Sequence, residues 1–155
     1  MPKMPHPTCR CAEQFQVHQA TSGEYKRVKS ILNQARHPTF IGPDQIRQSI
    51  VNGGVTIFAY KGVDVAVGVL NPKYNVLTVL SVIAAHQGHG LGTACLGYLQ
   101  ANFARVVESA MPFFQRNGYT AIGSLKQGRR LRTQIMVRKD VLTLAGRIAR
   151  IYSTI

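Results

Sequence analysis

The residues with the clearest chemical potential are Gln87-Gly88-His89-Gly90-Leu91-Gly92-Thr93, three glycines within five positions. An apolar, β-branched run from Val76 to Ile83 precedes them, and an apolar segment of helical period, Leu91 to Phe103, follows at once. Glycines at a strand-to-helix junction let backbone approach a ligand closely. The start of a helix presents unpaired N–H groups and a partial positive charge, a combination that suits phosphate or pyrophosphate. The spacing is not the dinucleotide fingerprint. It is not a Walker loop either, because no Lys-Ser/Thr follows the glycines.

Other candidate groups are sparse. Only six carboxylates stand against nineteen Lys and Arg, a formal net charge of +13. Lys126, Arg129, Arg130, Arg132, Arg138, Lys139, Arg147 and Arg150 face only Asp140 toward the end of the chain. Such imbalance speaks of partners and not of fold. It is met equally by a solvated basic surface and by a polyanionic partner such as nucleic acid. Cys9-Arg10-Cys11, with His6 and His18 nearby, lacks the paired spacing of structural zinc sites, so no metal is expected. Cys95 falls on the apolar face of the helix after the glycines and reads as core.

The elements that must position these residues follow from period and punctuation. Residues 1–14 carry three prolines and read as a flexible tail. Phe15 to Ala20 alternates as a strand, and Thr21 with Glu24 forms a capping box for a helix that ends before Pro38. Asp44 is expected to cap a second short helix closed by Asn52-Gly53-Gly54. Val55–Tyr60, Val63–Leu70 and Tyr74–Ile83 read as three hairpin-linked strands. After the glycine-led helix come a strand at Arg105–Val107, a helix across Ala110–Asn117, and strands at Tyr119–Ser124 and Leu131–Lys139. Leu125–Arg130 reads as a basic turn between that last pair, and Val141–Ile151 as a terminal helix. The division is a tail at 1–14, one domain at 15–140 and a helical segment at 141–155. No apolar run suggests a membrane span, and Met1 to Pro7 lacks the core of a signal peptide, so a cytoplasmic protein is expected.

The pattern Gln87-x-x-Gly90-x-Gly92 resembles the acyl-CoA pyrophosphate loop of the GCN5-related N-acetyltransferases (GNAT superfamily), Arg/Gln-x-x-Gly-x-Gly/Ala. Ala110-Met111-Pro112-Phe113-Phe114-Gln115-Arg116-Asn117-Gly118-Tyr119 resembles that family's later Ala-x-x-Phe-Tyr-x-x-x-Gly-Phe segment. The resemblance covers Phe15 to Lys139. It implies an α/β (α+β) fold: a mixed, mostly antiparallel sheet splayed between strands four and five, flanked by helices, here with an extra C-terminal helix. It implies acetyl-CoA, or another acyl-CoA, as co-substrate. The backbone of Ser81, Val82 and Ile83 would hold the pantetheine arm and polarise the acyl carbonyl. The loop Gln87, Gly88, His89, Gly90, Leu91, Gly92 and Thr93 would hold the pyrophosphate.

Two departures qualify the implied activity. The strand positions that often carry the family's glutamate base, Val76 to Ser81, hold no carboxylate, and the usual tyrosine acid is Phe114. Glu108 is the replacement base that the motif spacing puts beside the splay, where an apolar wall of Val107, Met111 and Phe113 would raise its pKa. Its alternative role is an anion at the start of the Ala110 helix, with Ser109 as N-cap. His86 and His89 flank the loop and read as contacts to phosphate or solvent, while Tyr98 and Tyr119 read as core. The expected activity is acyl-CoA-dependent N-acyl transfer. Its acceptor is open and includes a nucleic acid such as aminoacyl-tRNA or modified DNA, touched by Arg129, Arg130 and Arg132. A non-catalytic module binding CoA or nucleic acid on the same fold is the alternative, and a homodimer is left open.

Overall fold

The computed structural model describes residues 15–35, 41–88, 90–127 and 131–141. The expected tail, the end of the first helix at Pro38 and the helix expected beyond Val141 lie outside the described residues. The chain forms two compact units, Met1–Ala101 and Asn102–Ile155.

The first unit is built on an antiparallel meander of β1 (Phe15–Gln19), β2 (Val55–Tyr60), β3 (Val63–Asn71) and β4 (Val76–Val82). Helices α1 (Tyr25–Ala35) and α2 (Pro43–Val51) lie between β1 and β2 in sequence, and α3 (Leu91–Leu99) follows β4. Both faces of the sheet are covered, which is why β2, β3 and β4 read as almost continuous apolar runs. Val28 and Ile31 of α1 and Ile46 and Ile50 of α2 pack with Ile57, Val67, Val79 and Ile83 on one face. The alternate strand residues Phe58, Ala66 and Val82 pack with Phe15, Val65 and Cys95 on the other, flanked by Leu91, Tyr98 and Leu99. Phe58 anchors that second layer: it is fully buried, 5.7 Å from the Tyr98 ring in an edge-on contact. Its truncation to alanine would cost about 3–5 kcal/mol.

Local chemistry sets the ends of these elements. The Glu24 carboxylate reaches back to the Thr21 N–H and hydroxyl, each at 2.9 Å, as the capping box requires. It also accepts from Arg27 at 2.8 Å and lies 2.6 Å from His18 Nε2. Arg27 in turn makes a two-pronged pair with Asp64, both contacts at 2.7 Å, tying α1 to β3. Asp44 does not cap α2 as expected. Gly42 is the N-cap, Pro43 opens the helix and Gln45 accepts the Gly42 N–H, because the ring's preset φ fits the first helical position. The helix predicted over Leu91 to Phe103 also stops early, at Leu99, where Gln100 turns left-handed at φ 51°. Phe103 then belongs to a strand. In β4, Thr78 is the extra residue of a bulge, and its hydroxyl donates to the Val69 carbonyl at 3.1 Å.

The second unit orders its antiparallel strands β5 (Phe103–Val107), β7 (Leu131–Arg138) and β6 (Tyr119–Gln127). A 3-10 turn at Glu108–Ala110 leads into α4 (Met111–Arg116). β5 starts two residues before the expected strand. β6 runs through Leu125–Gln127, which were expected in the turn, because these residues continue the ladder to Leu131, Arg132 and Thr133. Thr133 is fully buried and accepts the Arg105 Nε–H at 3.0 Å.

The capping network carries a pH signature. The Thr21 backbone N–H, and after it His18, hold the Glu24 carboxyl at about 2, below its ordinary 4.5. A carboxyl depressed on folding adds stability that is complete above pH 4.5 and is lost as pH falls toward 2. Thermal unfolding of Glu24→Gln across this range should therefore show a lower Tm than wild type near neutrality and a flatter acid limb. An acid limb identical to that of wild type would contradict this assignment.

Candidate functional site

The glycine junction begins where the β3–β4 ladder ends. Ile83 donates to the Val65 carbonyl at 2.8 Å, one residue past β4. A 3-10 turn at Ala84–His86 follows, with His86 N–H to Ile83 O at 2.8 Å and Gln87 N–H to Ala84 O at 3.3 Å. Gly88 and Gly90 then take φ of 84° and 78°, left-handed values that strain any residue with a Cβ. A Cβ built at either glycine would meet nothing within 4 Å, so the protein leaves open space on that side of the backbone.

Gly90 is the N-cap of α3, and the first bond inside the helix runs from Ala94 N–H to Gly90 O at 3.1 Å. The N–H groups of Leu91, Gly92 and Thr93 therefore precede the helix's own acceptors and point out of its N-terminus. No acidic side chain lies in the first turn of α3. The aligned peptides add a partial positive charge there, and the whole suits an anion. Leu91 anchors this turn by packing into the core beneath it. His89 lies outside the described residues, and His86 is half-buried beside the turn.

Ser81, Val82 and Ile83 are all buried, and their backbones are not equivalent. Ile83 spends its N–H on β3, and Ser81, opposite Val67, faces the same way by strand alternation. Val82 directs its backbone away from β3. Its carbonyl accepts the Gln87 side-chain amide at 2.9 Å, a contact that the sequence reading did not anticipate. Cys95 is fully enclosed in the core, and burial pushes its thiol up to about 12, which disfavours the thiolate.

In the second unit, Glu108 follows β5 directly and begins the 3-10 turn, its carbonyl accepting the Met111 N–H. Its side chain is exposed, so the expected apolar enclosure is absent; Val107, Met111 and Phe113 are only half-buried. Ser109 is not the cap of α4, a place taken by Ala110. Phe114 is 5% exposed, with edge-on contacts to Phe113 at 5.2 Å and Tyr119 at 5.5 Å. Tyr119 is core as expected, and burial raises its hydroxyl pKa. Arg129 and Arg130 lie outside the described residues, while Arg132 sits in β7 opposite Lys126. No three His, Cys, Asp or Glu among the described residues converge on a point; His6, Cys9 and Cys11 lie outside them. No described helix is long and apolar enough to cross a membrane.

The aromatic cluster gives a direct test. Phe114→Tyr places a hydroxyl in a nearly closed apolar setting, which costs about 1–3 kcal/mol when no partner is found. Urea unfolding should show that loss. A variant as stable as wild type would mean that the far edge of the ring meets solvent or a polar partner.

No protein-family model matches the sequence, and no curated protein does. Solved structures do match. A GNAT-family acetyltransferase from Bacillus cereus is 16% identical, with TM-score 0.61 over 79% of this chain and 94% of that one. Arabidopsis thaliana Naa50, solved with the bisubstrate analogue CoA-Ac-MVNAL, is 13% identical, with TM-score 0.61 over 79% and 97%. The Salmonella typhimurium acetyltransferase that modifies the N-terminal serine of ribosomal protein L7/L12 is 10% identical, with TM-score 0.57 over 83% and 96%. At these identities the likeness is one of fold, and it joins the strand order, the helices and the glycine junction in a single conclusion. The chain has the fold of the GCN5-related N-acetyltransferases.

Proposed function

We propose that this protein is an acyl-CoA-dependent N-acyltransferase, with acetyl-CoA the simplest donor. The observation that carries the reading is the junction from Gln87 to Thr93. It combines left-handed glycines, open space beside them and a helix N-terminus without a carboxylate in its first turn. The amides of Leu91, Gly92 and Thr93 hold the pyrophosphate, with Gly88 and Gly90 admitting it closely. The Val82 N–H, turned away from β3, supports the pantetheine arm and the acyl carbonyl, while Ser81 and Ile83 hold that strand in register. A neighbour of the same fold solved with a CoA bisubstrate analogue supports the choice of donor.

In the reaction, the acceptor amine adds to the thioester carbonyl. The C–N bond forms, the C–S bond breaks, and the amine's proton passes to a base. Glu108 is proposed as that base, because Glu24, Asp44, Asp64 and Asp140 are each held in ion pairs. The departing thiolate takes its proton from water or from the acceptor, since Phe114 has none to give. The acceptor is proposed to be an amine on a polyanion, such as tRNA or modified DNA, met by Arg129, Arg130 and Arg132. The +13 charge supports this, as do the exposed Lys26, Lys29, Lys61 and Lys73 of the first unit, whose described carboxylates already pair with cations. One observation favours a second reading, a CoA-binding module without catalysis: β4 carries no carboxylate and Phe114 is enclosed.

The test uses labelled acetyl-CoA with pooled nucleic acids, peptides and small amines, and compares wild type with Gly90→Val and Glu108→Gln. Wild type should transfer label. Gly90→Val should unfold cooperatively yet bind CoA at least about tenfold more weakly, since a β-branched side chain obstructs the backbone approach. Glu108→Gln should slow the chemical step by about 10²–10⁴ with CoA affinity nearly unchanged. Unchanged CoA affinity in a folded Gly90→Val protein would overturn the site, and CoA binding without transfer or hydrolysis would assign the non-catalytic module.

A further inference from the structure

A hydrogen bond from the Gln87 side-chain amide to the Val82 carbonyl, at 2.9 Å, ties the glycine junction to the strand before it. The junction needs such a tie. Two of its residues are left-handed glycines, the residue type with the most backbone freedom to lose on ordering. Its 3-10 turn closes with a long bond, Gln87 N–H to Ala84 O at 3.3 Å. The Val82 carbonyl is the natural anchor, because Val82 is 8% exposed and turns its backbone where β3 cannot reach it.

We propose that Gln87 is a positioning residue. Its side-chain amide, donated to the Val82 carbonyl, holds the glycine junction so that the amides of Gly88, Gly90, Leu91, Gly92 and Thr93 converge on one anion. The inference rests on the acyl-CoA reading of this loop, and it changes what Gln87 does within it. The side-chain amide is turned back onto β4, so Gln87 acts through the backbone it orders. It also couples the two parts of the site, since the carbonyl that it holds belongs to the residue whose N–H faces away from β3. Disorder in the loop and disorder at the end of β4 become one event.

The experiment pairs amide hydrogen exchange of the ligand-free protein with calorimetry of CoA binding. It compares wild type with Gln87→Met, of similar length but without a donor, and Gln87→Arg, which keeps one. Gln87→Met should exchange faster at His86, Gln87 and Ala94 before any ligand is added. It should bind CoA about three- to tenfold more weakly, the size expected for one net hydrogen bond. Gln87→Arg should recover part of both. Weaker binding with wild-type exchange would mean that the side chain touches the ligand, and wild-type affinity in Gln87→Met would mean that the bond positions nothing; either overturns the proposal. If wild type itself fails to bind CoA, the functional reading fails, while the exchange comparison still decides whether Gln87 orders the loop.

Discussion

Everything proposed for this protein depends on one backbone constraint: β4 must hand over to α3 through left-handed geometry at Gly88 and Gly90. A chain of L-residues resists that conformation, and glycine adopts it without cost from a side chain. The turn aims the N-terminus of α3 at open space and sets its first amides beyond reach of the helix's own carbonyls. The rest of the first unit supports that handover. Leu91 and Leu96 are drawn down toward the sheet, and Cys95 is sealed beneath. The apolar layer under α3 fixes where the helix begins, and the glycines fix which way its dipole points.

Charge is arranged to the same effect. The described carboxylates of the first unit are taken up where they serve structure: Glu24 at a helix cap and on Arg27, Asp64 on Arg27, Asp44 beside Arg47. None lies in the first turn of α3. An anionic ligand therefore meets a helix N-terminus whose field is not offset by a local carboxylate, within a strongly basic chain. The second unit contributes an enclosed aromatic cluster of Phe114 and Tyr119 and an exposed Glu108. Burial thus separates the aromatic groups that pack from a carboxylate that meets solvent.

Much of this was legible in the residues, and the exceptions have physical causes. The apolar runs at Val55–Tyr60 and Val76–Val82 announced strands covered on both faces, and the glycine spacing announced the junction. The early end of α3 was hidden because a glutamine, Gln100, takes the left-handed position that a glycine would have advertised. Asp44, a residue type that favours caps, lies inside α2 because Pro43 takes the first helical position and leaves the cap to Gly42. The Arg27–Asp64 pair joins residues 37 apart, for which no local pattern exists. The exposure of Glu108 and the inward turn of the Gln87 amide are tertiary facts: strand and turn positions were readable, but side-chain direction was decided by packing.

The measurement that bears most directly on the central claim is an amide NMR titration of the protein with CoA. The account predicts its largest shifts at Gly88, Gly90, Leu91, Gly92 and Thr93, with Val82 moving in step, because those backbone N–H groups are the ligand's proposed partners. CoA binding that leaves these amides unshifted while others move, or no binding at all, would contradict it.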